Sequence, residues 1–280
     1  MFGQQGGIRL KAVFIGAGSM AEAIIAGALK SGALQVGHTY VTNKANDARL
    51  RQLADEFGVQ AGYEAGVALQ DADIIVLAMK PKDAEAGLES IRPFIHEKSV
   101  VISLLAGVGI EFMEEAIGKP CAIIRSMPNT SAAVGKSATA IALNRFVTAE
   151  QHKAAIDLFS SIGTAITVDE SQMDAVTAVS GSGPAYFYYI AEAIQQAGEE
   201  LGLEHETAKE LLIQTLLGAA TMLSKNDGQA AVLRKAITSP GGTTEAAIRT
   251  FDEFRVKQAI EAGVKEAAAQ SKRLGNAYIR

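Results

Sequence analysis

The chain has a single cysteine, Cys121, among 280 residues. That excludes an internal disulfide framework and fits a reducing compartment. No run of lysine or arginine is present, and the net charge is −5 with a pI near 5.5. A general nucleic-acid binder needs a concentrated basic surface, so that class of partner is excluded. No apolar stretch reaches the roughly 20 residues needed to span a bilayer, so no membrane partner is expected. The opening residues, MFGQQGGIRL, have neither the apolar core nor the small-residue cleavage site of a secretory signal. A cytoplasmic location is expected, and residues 1–9 receive no role. Internal repeats and low-complexity tracts are absent as well.

Several chemical signals are also missing. His38, His96, His152 and His205 lack metal-ligand spacing and the cysteine stands alone, so no metal site is expected. Gly135-Lys136-Ser137 has the ending of a P-loop, but the motif needs glycine at 130, where Thr130 stands. SGSGP is not a nucleophile elbow either, because Ser180 occupies the first glycine position.

What is present is ordinary globular material: 48% hydrophobic residues, enough for a real core and two domains. Val13 to Ile15 form a short apolar strand followed by Gly16-Ala17-Gly18, and a helix runs from about Ser19 to Lys30. HTYVTN reads as a second strand and residues 46–57 as a helix. ADIIVLAMKP, SVVISLLAGV, CAIIRSMPNT and TAITV (164–168) read as further strands with helices between most of them. Strands alternating with helices predict an α/β fold with a largely parallel sheet covered on both faces. Residues 1–168 are assigned to this domain, which is expected to be of the Rossmann dinucleotide-binding type. From about residue 170 no strand signal follows, and residues 169–280 are assigned to an all-α domain for dimerisation and substrate. In TAKELLIQTLLGAATML, Ala208, Leu211, Leu212, Thr215, Leu216, Ala219, Ala220 and Leu223 share a stripe, while Ile213, Leu217 and Met222 are apolar on other sides. Such a helix needs cover on several sides, which predicts packing against a second copy.

GAGSMA is GxGxxA between a strand and a helix, the context a dinucleotide loop requires. Gly16 would make the tight turn and Gly18 would admit a pyrophosphate, with the helix start supplying free N–H groups. The expected cofactor contacts here are Ile15, Gly16, Ala17, Gly18, Ser19 and Met20. The second strand ends at Asn43 and Lys44 without a carboxylate for a ribose hydroxyl, which favours NADPH, with NADH expected to bind more weakly. Ligands bind beyond the carboxyl ends of strands in such sheets. That adds Ala78, Met79, Lys80 and Pro81, then Ala106 and Gly107, and Asn129.

Two later segments, SGSGPAYFYY and AITSPGGTTEAAI, place glycine, serine and proline before a helix. Both would present unsatisfied N–H groups that suit a carboxylate, with Thr243 as an N-cap. Oxidising an alcohol would need a base. A lysine and an asparagine at the spacing used by one group of hydroxyacid dehydrogenases would fall at Phe187 and Ala191, and no lysine occurs between Lys153 and Lys209. A protonated cyclic imine needs no such base and accepts hydride once positioned. Thr244, Thr243 or a bound water can hydrogen-bond its nitrogen.

DAVTAVSGSGPAYFYYIAEA, LLGAATML and ITSPGGTTEAAI together resemble the signature of the pyrroline-5-carboxylate reductase family. The similarity runs from FIGAGSMAEAI through AMKP and MPNT to the last helix. It implies NADPH-dependent reduction of 1-pyrroline-5-carboxylate to proline, the last step of proline synthesis. It further implies that Ser239 and the backbone of Gly241, Gly242 and Thr243 hold the substrate carboxylate. Thr244 would be the catalytic contact to the ring nitrogen. The helical domain of the family forms an interlocked homodimer, and some members assemble into decamers. One departure is Ser131, where the family commonly has proline after MPNT. The aromatic run Tyr186 to Tyr189 is expected to build core and dimer seam. The competing readings are a hydroxyacid dehydrogenase of related build and a non-catalytic dinucleotide-binding dimer.

Overall fold

The computed structural model describes residues 10–225 and 229–276; the lead at 1–9 lies outside them. Two compact units result: 1–182 together with 267–280, and 183–266.

The first unit is built on β1 (Ala12–Ile15), β2 (Thr39–Thr42), β3 (Gln60–Ala61), β4 (Ile74–Leu77), β5 (Val100–Ser103), β6 (Ala122–Met127), β7 (Ser137–Leu143) and β8 (Gly163–Thr167). Their order across the sheet is β3-β2-β1-β4-β5-β6-β7-β8. All neighbours are parallel except β6 and β7. Helices α1 (Ser19–Ser31), α2 (Asp47–Phe57), α3 (Ala65–Leu69), α4 (Ala84–Ile91), α5 (Ile110–Ile117) and α6 (Ala149–Ser160) connect the strands. The strands are apolar on both faces because both are covered. Phe14, Val76, Ile102 and Ile124 pack on one side with Ile24 and Ile25 of α1, Leu53 of α2 and Phe159 of α6. Val13, Ile75, Val101 and Ile123 pack on the other with Leu88 of α4 and Met113 of α5.

Two strands were not anticipated. β3 is only two residues long. β7 is SATAIAL, alanine-rich and without the β-branched weight that marks a strand. It leaves the P-loop-like Gly135, which adopts a left-handed φ of 68° and turns the chain back beside β6.

The compact units part at 182/183, within the segment 169–280 that the sequence assigns to the helical domain. After β8 the chain stays on the first unit: α7 (Met173–Val176) inserts Met173 into the second core and lays Val176 against it. A π-helical turn, Thr177–Gly181, follows, with Ser182 N donating to Thr177 O at 2.8 Å. The second unit is helical: α8 (Gly183–Glu200), α9 (His205–Lys225), α10 (Ala230–Ala236), α11 (Thr243–Glu253) and most of α12 (Val256–Asn276). The last part of α12 rejoins the first unit. Ser271 Oγ donates to Asp174 Oδ1 at 2.7 Å, and a Cβ on Gly107 would lie 3.3 Å from Gly275 N.

On α9 only Ala208 and Leu212 are buried, while Leu211, Ile213, Leu217 and Met222 are about half exposed or more. The α8 aromatics Phe187, Tyr188 and Tyr189 are 63%, 63% and 77% exposed. The sequence predicts a buried helix here; among the described residues it is bare, an exposed apolar face of the kind that marks an interaction surface. No helix among the described residues is long and apolar enough to cross a membrane.

Candidate active site

Between β1 and β4 the strand order reverses direction, and the chain leaves both strands at the same edge. In an open parallel sheet this is the place where a ligand crevice forms. A cleft of about 820 Å³ lies here, lined by Ile15–Gly18 after β1, Thr42–Asn46 and Arg49 after β2, and Ala78–Lys80 after β4.

The two loop glycines do different work. Gly16 has a φ of 120°, and its N–H donates to Thr42 O at 2.8 Å. A Cβ there would sit 2.4 Å from the carbonyl of Ala78, so only glycine fits. Gly18 has an ordinary φ of −74° and precedes α1 as its N-cap without a side-chain hydrogen bond. A Cβ on Gly18 would meet nothing within 4 Å. Among the described residues nothing demands glycine at 18. Gly18 directly precedes the start of α1, whose first N–H groups have no partners in the helix. A cradle of that kind fits a pyrophosphate, which needs close approach to the backbone.

Of the sequence-predicted contacts, Ile15, Gly16, Ala17, Gly18, Asn43, Lys44, Ala78, Met79 and Lys80 line the cleft. Ser19 and Met20 belong to the first turn of α1, and Pro81 opens the short 3-10 turn Pro81–Asp83; none of the three lines it. Ala106 and Gly107 are not in it either, and Gly107 instead touches the end of α12.

Asn129 has partners inside the protein. It is 8% exposed, and its side-chain amide is used within the protein. Nδ2 donates to Ser180 O at 2.9 Å and Oδ1 accepts from Ser131 N at 3.1 Å. A buried amide must satisfy its donors and acceptor, and here the π-helical turn and its own loop do so. Ser131 thus contributes an N–H that proline lacks, tying down the loop by a hydrogen bond instead of a ring. A Cβ on Gly181 would lie 2.6 Å from Met127 Cε, the mobile end of a long side chain that can move aside.

The second strand's end also holds more than its sequence suggests. Asn43 uses both polar atoms on the backbone of Asn46, at 2.8 Å each, so it shapes the turn. Lys44 lines the cleft with a side chain 91% exposed, and Lys80 and Lys82 line the same space. No carboxylate lies at 43–46 after β2, yet Asp83 comes within 3.8 Å of Lys44 Nζ from the β4 side. Asp83, Lys82 and Arg49 were missed because they enter the cleft from other elements.

In the second unit, Ser239 to Gly242 turn the chain into α11. Gly241 has a φ of 70°, and Gly242 N donates to Ser239 O at 3.0 Å. The N-cap is Gly242, not Thr243, which is the first helical residue. Thr244 is half-buried and Ser239 exposed. Glu245 Oε2 accepts from Gly241 N at 2.8 Å, so one amide assigned to a substrate is already engaged. The N–H groups of Thr243 and Thr244 fall in the first turn, where α11 offers no acceptor. Among the described residues no cluster of His, Cys, Asp and Glu could hold a metal.

A parallel sheet of this order, with a glycine loop at its switch point and a helical second unit, defines a Rossmann-type nicotinamide-dinucleotide oxidoreductase. Residues 11–107 match the family described as NADP oxidoreductase, coenzyme F420-dependent, and residues 170–274 match the family described as pyrroline-5-carboxylate reductase dimerisation. Pyrroline-5-carboxylate reductase 2 of Bacillus subtilis is 46% identical over 258 residues, covering 92% of each chain. The structure of a pyrroline-5-carboxylate reductase from Coxiella burnetii superposes with a TM-score of 0.88 at 36% identity, covering 95% of this chain and 99% of that one. The Plasmodium falciparum pyrroline carboxylate reductase, solved with NADP bound, gives 0.86 at 29% identity, covering 96% and 100%. The chain belongs to the pyrroline-5-carboxylate reductase family.

Proposed function

We propose that the protein catalyses hydride transfer from NADPH to the C=N bond of 1-pyrroline-5-carboxylate, giving proline. The observation that carries the cofactor half is Gly18, a glycine with empty space on its open side at the mouth of α1. The substrate half rests on family membership and on the turn before α11.

NADPH supplies the hydride. Ile15 to Gly18 and the start of α1 hold its pyrophosphate, and Lys44 with Lys80 and Lys82 faces the 2′-phosphate. The substrate carboxylate is held at the 239–244 turn. Because Glu245 takes the Gly241 amide, the N–H groups of Thr243 and Thr244 carry that contact, with the Ser239 hydroxyl. The Thr244 hydroxyl faces the ring nitrogen. The ring carbon gains the hydride, the C=N π pair returns to nitrogen, and the protonated imine becomes a secondary amine. No enzyme base is consumed, which agrees with the lack of lysine on α8. Positioning carries most of the rate. The bare faces of α8 and α9 pair with a second copy to form a homodimer, and a cytoplasmic location agrees with the lone cysteine.

The test is NADPH oxidation with pyrroline-5-carboxylate, using a small 3-hydroxy acid semialdehyde as control. Turnover with the imine alone is expected. Turnover with the control alone, or NADPH binding without turnover of either, overturns the proposal. Thr244→Ala is expected to lower kcat/KM at least tenfold.

A further inference from the structure

Arg49 carries no motif, yet its side chain joins α2 to the dinucleotide loop. Nε donates to the Ala17 carbonyl at 2.8 Å, Nη2 pairs with Glu22 Oε2, and Nη1 donates to Gln52 Oε1 at 2.9 Å. The Arg49 side chain is 19% exposed and that of Glu22 29%. The base of this arm is itself fixed, since Arg49 N donates to the capping Asn46 Oδ1 at 3.0 Å.

Glu22 sits in the first turn of α1. A carboxylate there suits the helix dipole while the helix end is empty. Once a pyrophosphate occupies the same end, the two anions repel. The charge on Glu22 therefore works against the loop it belongs to, unless it is cancelled. Arg49 is the cation in contact with it, and the same planar fork holds the carbonyl of Ala17, between the two glycines.

We propose that Arg49 is a positioning residue for the dinucleotide. It pins the Ala17 carbonyl so that the Gly16–Gly18 loop keeps its shape. It also cancels the Glu22 charge, so the start of α1 stays attractive to the pyrophosphate. The inference rests on the reading of this cleft as the NADPH site.

The experiment is a fluorescence titration of the full-length protein with NADPH, alongside turnover at saturating NADPH. Arg49→Ala is expected to raise the Kd at least tenfold while kcat falls less than threefold. With Glu22→Gln as the reference background, adding Arg49→Ala is expected to raise the Kd by a clearly smaller factor, the remainder being the lost Ala17 contact. A purely structural arginine would show neither the split between Kd and kcat nor this rescue. A Kd within twofold of the unsubstituted protein, or an equal loss in both backgrounds, overturns the proposal. Should Arg49→Ala lose its cooperative melting transition, Arg49→Gln keeps a donor for Ala17, removes the charge, and carries the same comparison. Gly18→Ala is titrated in parallel. If it binds NADPH normally, the cleft reading falls and the role of Arg49 falls with it. If it binds weakly while the Arg49 variants do not, only the role of Arg49 falls.

Discussion

The two loop glycines make a matched pair of perturbations, since the same added methyl group should have opposite effects at Gly16 and Gly18. At Gly16 the φ of 120° is closed to alanine, and the Cβ would lie 2.4 Å from the Ala78 backbone. The conformation costs about 1–3 kcal/mol. Overlap with main chain that cannot rotate away adds about 1–3 kcal/mol more. Gly16→Ala should therefore lose several kcal/mol and melt far below the unsubstituted protein. At Gly18 two small terms oppose each other. Alanine at a compatible φ gains about 0.4–1 kcal/mol through the unfolded chain. Alanine is a poorer N-cap than glycine by about 1 kcal/mol. The net change is within about 1 kcal/mol, a shift of at most about 4 °C in Tm for a chain of this size. On the proposed reading the methyl group nevertheless takes space that the pyrophosphate would fill. NADPH should bind at least tenfold more weakly, a loss of about 1.4 kcal/mol or more. Thermal melts and NADPH titrations on both variants measure the two halves. A Gly18→Ala protein that melts normally and binds NADPH within twofold of the unsubstituted protein would refute the placement of the dinucleotide.

Lys44→Ala should weaken NADPH about tenfold while NADH changes little, read as the ratio of the two Kd values; an NADH affinity equal to that of NADPH in the unsubstituted protein would contradict the 2′-phosphate role. Leu217→Glu places a charge on an exposed apolar face of α9 and should shift the assembly toward smaller species in sedimentation velocity. That measurement also distinguishes a dimer from larger states. The Cys121 thiol is pushed up to about 11 by burial and then by nearby Glu114. At neutral pH it should react with an aromatic disulfide far more slowly than a free thiol, and at full speed only in denaturant. The sign for stability follows: the buried neutral thiol contributes fully below its ordinary value of 9.0, and the contribution fades as pH rises through about 11. Cys121→Ala should remove that alkaline component from a stability-against-pH curve.

The parts of the molecule that could be read from the sequence are those whose cause or pattern is local. The helix from Ser19 and the cap of α2 at Asn46 depend on neighbours within a few residues, and the glycine turn and apolar strands show a local pattern even though distant partners require it. What escaped depends on distant partners. Arg49 meets Ala17 across 32 positions, and Asn129 meets Ser180 across 51. A polar residue after a strand looks like a ligand donor until its bonds inside the protein are seen. β7 escaped for another reason: its alanines suit a crowded sheet but fit helix and strand alike by pattern. The Glu245 contact to Gly241 was hidden because an acid in a first turn looks like ordinary dipole chemistry.

The return of α12 to Gly107 and Asp174 has a consequence for how the chain is made. The nucleotide-binding half emerges first from the ribosome but lacks its last strut. Residues 183–266 must follow before Ser271 and Gly275 can arrive. At about 5–20 residues per second that delay lasts several seconds or more. Throughout it the nascent sheet carries an unbacked turn at Gly107 and an Asp174 side chain without its serine, so completion of the first unit is timed by synthesis of the second.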